Sequence, residues 1–258
     1  MLLKVEGAEI SYEFLGEHGS NVLLLHGWGC DASLMRPIAE RLKDKHRTLI
    51  IDFPGHGQSG RPPEPWGVPE YARSLKGLLE QLSFSPCAVI AHSFGGRVAV
   101  LLASEHPELF TRMILTGAAG IRKPQTEEAK KRSEQYHRLK KLTAGMKSLP
   151  GMKGIAGMAE EKLRQKYGSR DYNALDEEMR KTFVNVINQD LTECYGKIRQ
   201  STLLIWGDQD TETPLWMGQK MEQLIPDAGL VVFEGGTHFA YLEQLDRFAL
   251  IANTFLEE

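Results

Sequence analysis

Short apolar runs that each give way to a helical pattern constrain this chain more than any other feature. Asn21–Leu25, Arg47–Ile51, Cys87–Ala91, Arg112–Leu115, Thr202–Trp206 and Leu230–Phe233 are of strand length. They are largely continuous rather than alternating, which requires cover on both faces. Helical periodicities separate them: Ser33–Lys43, Val68–Leu82, Gly95–His106, Leu215–Leu224 and Gln244–Leu256. Strands interleaved with helices predict an α/β fold, a mostly parallel central sheet with helices on both faces. Leu2–Val5 and Glu9–Phe14 predict an opening hairpin. Open sheets of this kind bear their sites beyond the carboxyl ends of the strands.

One segment breaks the rhythm. Residues 121–200 hold no convincing strand, only helical patterns at Glu127–Leu142, Ala159–Tyr167 and Leu175–Asn188. Between the first two lies a stretch rich in Gly and Met, from Gly145 to Gly157, expected to be loose. The predicted organisation is a core of residues 1–120 and 201–258 with an inserted helical cap at 121–200. Charge divides the same way. The insertion carries 18 Lys+Arg against 11 Asp+Glu, and the remainder 13 against 23. A basic cap on an acidic body would steer anionic substrates or touch anionic lipid; a solvated helix surface is the plainer reading.

Bulk properties set aside several function classes. A formal net charge of −3 argues against nucleic acid as the main partner. Three cysteines, Cys30, Cys87 and Cys194, form no CxxC pair and no disulfide framework. They are expected to be reduced, mostly buried thiols, which points to the cytoplasm. The opening MLLKVEGAEI lacks signal-peptide character. No apolar run approaches the ~18 residues of a membrane helix, so no stable membrane insertion is expected. Oligomeric state is not legible.

The strand ends carry the chemistry. Cys87–Ala91 runs into His92-Ser93-Phe94-Gly95-Gly96 and then a helix. A serine between strand and helix, with small residues two positions either side, fits a nucleophile elbow. The helix N-terminus beyond it favours negative charge. Serine requires a base. Of eight histidines, His46 and His106 sit at element ends and His92 precedes the serine along the chain. His238, in EGGTHFAYLEQ after the last strand, is the candidate base. The strand in LLIWGDQDTETP is followed by two candidate orienting acids, Asp208 and Asp210. The order serine, acid, histidine is that of nucleophile-elbow hydrolases. The turn in LLLHGWGCD exposes backbone N–H groups; those of Trp28 and Phe94 are the candidate oxyanion donors.

With these residues in order, the chain resembles the α/β-hydrolase fold superfamily over nearly its whole length. The resemblance rests on His26-Gly27-Trp28-Gly29, on Asp52-Phe53-Pro54-Gly55-His56-Gly57-Gln58-Ser59, on Ala91-His92-Ser93-Phe94-Gly95-Gly96 and on the Asp210/His238 pair. It implies that Asp210 is the acid, since the family form is Gly-x-x-Asp, and that Asp208 is a loop residue. It implies a structural role for the Asp52 turn and a lid role for the insertion. Ala91 stands where the family signature has its first glycine, a small residue tolerated there. Ser93 argues against haloalkane dehalogenases and epoxide hydrolases, which use a carboxylate nucleophile. Around Cys30 the loop departs from carbon–carbon bond hydrolases, which lowers that reading.

The expected activity is a serine hydrolase of the carboxylesterase kind, with catalytic Ser93, Asp210 and His238, an acyl-enzyme and no cofactor or metal. Trp28, Phe94, Met217 and Phe239, with Met146, Met152 and Met158 of the insertion, are expected to line a pocket for small-to-medium apolar acyl or aryl esters. Leu149 and Ile155 add to that apolar stretch. Alternatives are a thioesterase, lactonase, amidase or carbon–carbon hydrolase on the same triad, or a ligand receptor that retains the triad and turns over slowly.

Overall fold

Apolar side chains on successive residues of the central strands go to opposite faces, and this alternation organises the two buried layers beside the sheet. In the computed structural model, which describes residues 1–124, 126–147 and 151–257, eight strands form one sheet. They are β1 (Leu2–Val5), β2 (Ala8–Leu15), β3 (Ser20–Leu25), β4 (His46–Ile51), β5 (Cys87–His92), β6 (Phe110–Thr116), β7 (Ser201–Gly207) and β8 (Ala228–Phe233). Their spatial order is β1-β2-β4-β3-β5-β6-β7-β8. The β1–β2 and β2–β4 pairs are antiparallel and the remainder parallel. All eight strands coincide with those expected to within a few residues.

Leu23, Leu25, Leu49, Ile51, Val89, Ala91, Leu115, Leu204 and Trp206 enter one buried cluster. Val22, Leu24, Ile50, Ala88, Ile90, Ile114 and Ile205 enter the other. The first is covered by α2 (Val68–Gln81), α3 (Phe94–Glu105) and α9 (Leu215–Leu224). The second is covered by α1 (Ala32–Leu42), α10 (Ala240–Glu243) and α11 (Leu245–Glu257). Asp31 caps α1 by accepting the Ser33 amide at 2.8 Å, and Gly67 precedes Val68-Pro69 at the start of α2.

The chain divides into two compact units, Met1–Ile121 with Val184–Glu258, and Arg122–Phe183. The second unit contains α4 (Glu127–Lys147), α5 (Lys153–Tyr167), α6 (Arg170–Ala174) and the start of α7 (Glu177–Asn188); α8 (Thr192–Tyr195) belongs to the first. Among the described residues the second unit holds no strand.

The expectation of a loose stretch from Gly145 to Gly157 is corrected at its two ends. Helix α4 continues through Gly145 to Lys147, and α5 already begins at Lys153. Each glycine costs a helix about 1 kcal/mol. The Ala, Met, Glu and Leu around them are helix formers, and α4 and α5 pack on one another, which outweighs that cost. Leu149 lies outside the described residues. Among the described residues, no helix is long and apolar enough to cross a membrane.

Candidate active site

Ser93 joins β5 to α3 at φ 51° and ψ −108°, a region that non-glycine residues rarely occupy. Such strain costs roughly 1–3 kcal/mol and persists only where neighbours over-determine it. Here they do. The Ser93 amide donates to the Thr116 carbonyl at 3.2 Å, and its own carbonyl accepts the Ala119 amide at 3.0 Å. The Gly95 amide donates to the His26 carbonyl at 3.1 Å. A Cβ on Gly95 would lie 2.7 Å from the Leu25 carbonyl oxygen, so this position excludes any side chain. Ala91 pairs in register with Leu25 and Leu115 and is fully buried. Phe94 opens α3, so its N–H is among the four that no intrahelical carbonyl accepts.

The loop after β3 is held against this elbow by His26. Its Nε2 accepts the Phe53 amide at 3.0 Å, so the proton resides on Nδ1, which donates to the Gly27 carbonyl at 2.7 Å. The Cys30 amide donates to the same carbonyl at 3.2 Å. A Cβ on Gly27 would lie 2.9 Å from the His92 ring and 3.2 Å from Ser93 Cβ, which fixes how closely the loop carrying the Trp28 amide approaches the serine. The half-buried Trp28 ring meets Phe94 edge-on at 5.3 Å and His56 at 4.8 Å. The turn after β4 is tied down by Asp52, whose carboxylate accepts the Ala32 amide at 2.7 Å and the Gln58 amide at 2.9 Å.

At the neighbouring strand ends, Asp210 and His238 meet. Asp210 Oδ2 lies 2.8 Å from His238 Nδ1. Asp210 Oδ1 accepts the amides of Glu212 and Thr213, each at 2.9 Å. Burial pushes the Asp210 carboxyl up, but the hydrogen bond and charge of His238 and the Thr213 donors outweigh it and hold it below its ordinary value. Asp208, two residues earlier, instead accepts the Gly235 amide at 2.8 Å and is exposed. Gly117, at φ 49°, closes β6 beneath the pair: a Cβ there would lie 3.2 Å from His238 Nδ1 and 3.3 Å from Asp210 Oδ2. Its amide donates to the Ile205 carbonyl at 3.2 Å.

His92, set aside as a base because it precedes the serine, is buried. Its Nδ1 lies 3.1 Å from the Thr116 carbonyl, and its ring packs on that of His238 at 4.6 Å. Burial lowers it to about 3, with the His238 charge adding to the effect. His26 and His56 are likewise pushed down to about 4, mainly by burial. These rings are neutral fittings of the site at neutral pH.

The expected pocket residues occupy different settings. Phe94 and Met217 are buried in the core, while Trp28 and Phe239 are half-buried. The Phe239 ring lies 5.5 Å from His238 and 5.2 Å from His92. Met146, Met152 and Met158 belong to the second unit, the first two half-buried and Met158 exposed. Cys87 is buried and its thiol is pushed up to about 12, whereas Cys30 and Cys194 are half-buried. Sequence reasoning missed Thr213 and Gly117, and it named His26 only within the His26-Gly27-Trp28-Gly29 motif, without its role in fastening the loop. For His26 the signal was present, a histidine directly after a buried strand and before a glycine.

The profile of the alpha/beta hydrolase fold matches residues 21–245. The chain belongs to this family. Among curated relatives, 2-hydroxy-6-oxo-6-phenylhexa-2,4-dienoate hydrolase of Comamonas testosteroni is 30% identical over 96% of this chain and 91% of its own. Pimeloyl-[acyl-carrier protein] methyl ester esterase of Neisseria meningitidis is 26% identical, covering 92% of each. Among solved structures, the enol-lactonase of Burkholderia xenovorans superposes with a TM-score of 0.76 at 24% identity over the whole of both chains, a likeness of fold. The family and the two curated relatives make the chain a hydrolase; one of them is a carbon–carbon bond hydrolase and the other an esterase, so the bond it breaks is a separate matter.

Proposed function

We propose that this hydrolase cleaves carboxylic esters through Ser93, His238 and Asp210. The observations that carry this reading are the 2.8 Å His238–Asp210 pair on the loops after β8 and β7 and the strained serine at the start of α3, whose chain neighbour His92 packs its ring on that of His238. Ser93 Oγ attacks the ester carbonyl while His238 Nε2 takes its proton. Asp210 holds the imidazole through Nδ1 and stabilises its charged form. The Trp28 and Phe94 amides receive the oxyanion. Collapse of the tetrahedral intermediate expels the alcohol, protonated by His238. Water, activated by the same histidine, then releases the acid and frees Ser93. The aromatic surface of Trp28 and Phe239 suits a small-to-medium apolar acyl or aryl group.

A second reading is supported by the 30% identity to the dienoate hydrolase: the same residues acting on a carbon–carbon bond next to a ketone. Two measurements decide. A fluorophosphonate probe is expected to label Ser93 and fail on Ser93→Ala. Steady-state turnover is then compared between p-nitrophenyl esters of two to sixteen carbons and 2-hydroxy-6-oxo-6-phenylhexa-2,4-dienoate. Faster turnover of the dienoate than of every ester overturns the ester reading. Labelling without sustained turnover of either favours a ligand receptor that retains the triad. Full ester activity in Ser93→Ala refutes both catalytic readings.

A further inference from the structure

Thr213, three residues after Asp210 in the stretch LLIWGDQDTETP, has no role in the reading above, yet its hydroxyl reaches both members of the acid–base pair. The residue is buried. Its Oγ1 lies 2.8 Å from Asp210 Oδ2, 2.9 Å from the Gly117 carbonyl and 3.2 Å from His238 Nδ1. The Thr213 amide donates to Asp210 Oδ1, and its carbonyl accepts the Trp206 indole N–H at 2.6 Å, which fixes the backbone that presents the hydroxyl.

We infer, on the catalytic reading of Ser93, His238 and Asp210 given above, that Thr213 is a positioning residue that selects the working tautomer of His238 and sets the strength of its bond to Asp210. A hydroxyl has one proton and two lone pairs. The acceptors within its reach are the Asp210 carboxylate and the Gly117 carbonyl, and the charged oxygen is the stronger. With the proton directed at Asp210 Oδ2, the hydroxyl oxygen faces His238 Nδ1 as an acceptor. Nδ1 then meets two acceptors, the carboxylate and the hydroxyl, and so carries the proton. That leaves Nε2 without one, as a base for Ser93 requires. The hydroxyl also draws charge from Oδ2, the atom that grips the imidazolium. The stiff χ1 of a β-branched side chain holds this geometry.

The test compares Thr213→Val, which keeps the shape and removes the hydroxyl, with Thr213→Ser, which keeps the hydroxyl. Both are assayed in the full chain on a p-nitrophenyl ester, with Ser93→Ala in parallel and thermal melting as the control for folding. Thr213→Val is expected to lower kcat about 10- to 100-fold, the range of one hydrogen bond to a charged group, with little change in KM. Its acid limb of kcat/KM is expected to move to higher pH, because Oδ2 without the hydroxyl donor holds the imidazolium proton more tightly. Thr213→Ser is expected to restore both. An unshifted limb and wild-type kcat in Thr213→Val overturn the inference, as do equal losses in Val and Ser. Should Thr213→Val not fold, Thr213→Cys takes its place, a weaker donor of similar size with the same expected direction. If Ser93→Ala keeps its activity, the catalytic reading itself fails; if it loses activity while Thr213→Val does not, only the role of Thr213 fails.

Discussion

Acid should unfold this protein at a pH set by its buried histidines. His26 and His56 are held near 4 and His92 near 3, against an ordinary value of 6.5, with burial the largest cause in each. A lowered value in the folded state means that the unfolded chain binds the extra proton. Stability is therefore intact above 6.5 and falls as pH drops from 6.5 towards 4. One pH unit between the folded and unfolded titrations corresponds to about 1.4 kcal/mol, so at pH 5 each ring contributes a loss of about 2 kcal/mol and the three together about 6. That is comparable to the whole stability of many domains. Urea unfolding at pH 8, 6.5, 5.5 and 5 measures it. These three rings alone should bring the slope below pH 6 towards three protons, or about 4 kcal/mol per pH unit, and His46, also buried and lowered by burial, adds in the same direction. His92→Phe, which keeps an aromatic ring against His238, should remove about one proton from that slope. A stability that stays level from pH 8 to pH 5 would refute the reasoning.

Asp210→Asn keeps the size of the acid but not its charge; on the proposed mechanism kcat should fall about 10⁴-fold on p-nitrophenyl acetate, with a far-ultraviolet spectrum like the wild type. Gly117→Ala places a methyl 3.2 Å from His238 Nδ1 at a positive φ; it should cost about 1–2 kcal/mol in urea unfolding and at least about tenfold in kcat. Cys87, buried and pushed up to about 12, should resist a thiol reagent at pH 8 until denaturant is added, as mass spectrometry of the labelled peptides would report.

The strands and most helices were legible because a sheet covered on both faces demands apolar residues at nearly every position, and only a short run of them fits a strand. Ser93 was legible for a local reason: a strand, a serine and Gly95-Gly96 before a helix describe one tight turn. Helix limits around Gly145–Gly157 were not, since propensity favoured a loop and the packing of α4 on α5 favoured helix.

What the chain's local pattern determines, then, is where strands end and which residue types stand there. What tertiary structure alone decides is which of them meet. Asp208 and Asp210 lie on the same loop two residues apart. Only the turn that brings the Glu212 and Thr213 amides onto Oδ1 aims Asp210 at His238, while Asp208 is taken by Gly235. Thr213 and Gly117 carry no motif of their own. Their contacts exist because β6, β7 and β8 are laid side by side, joining residues distant along the chain at hydrogen-bond range.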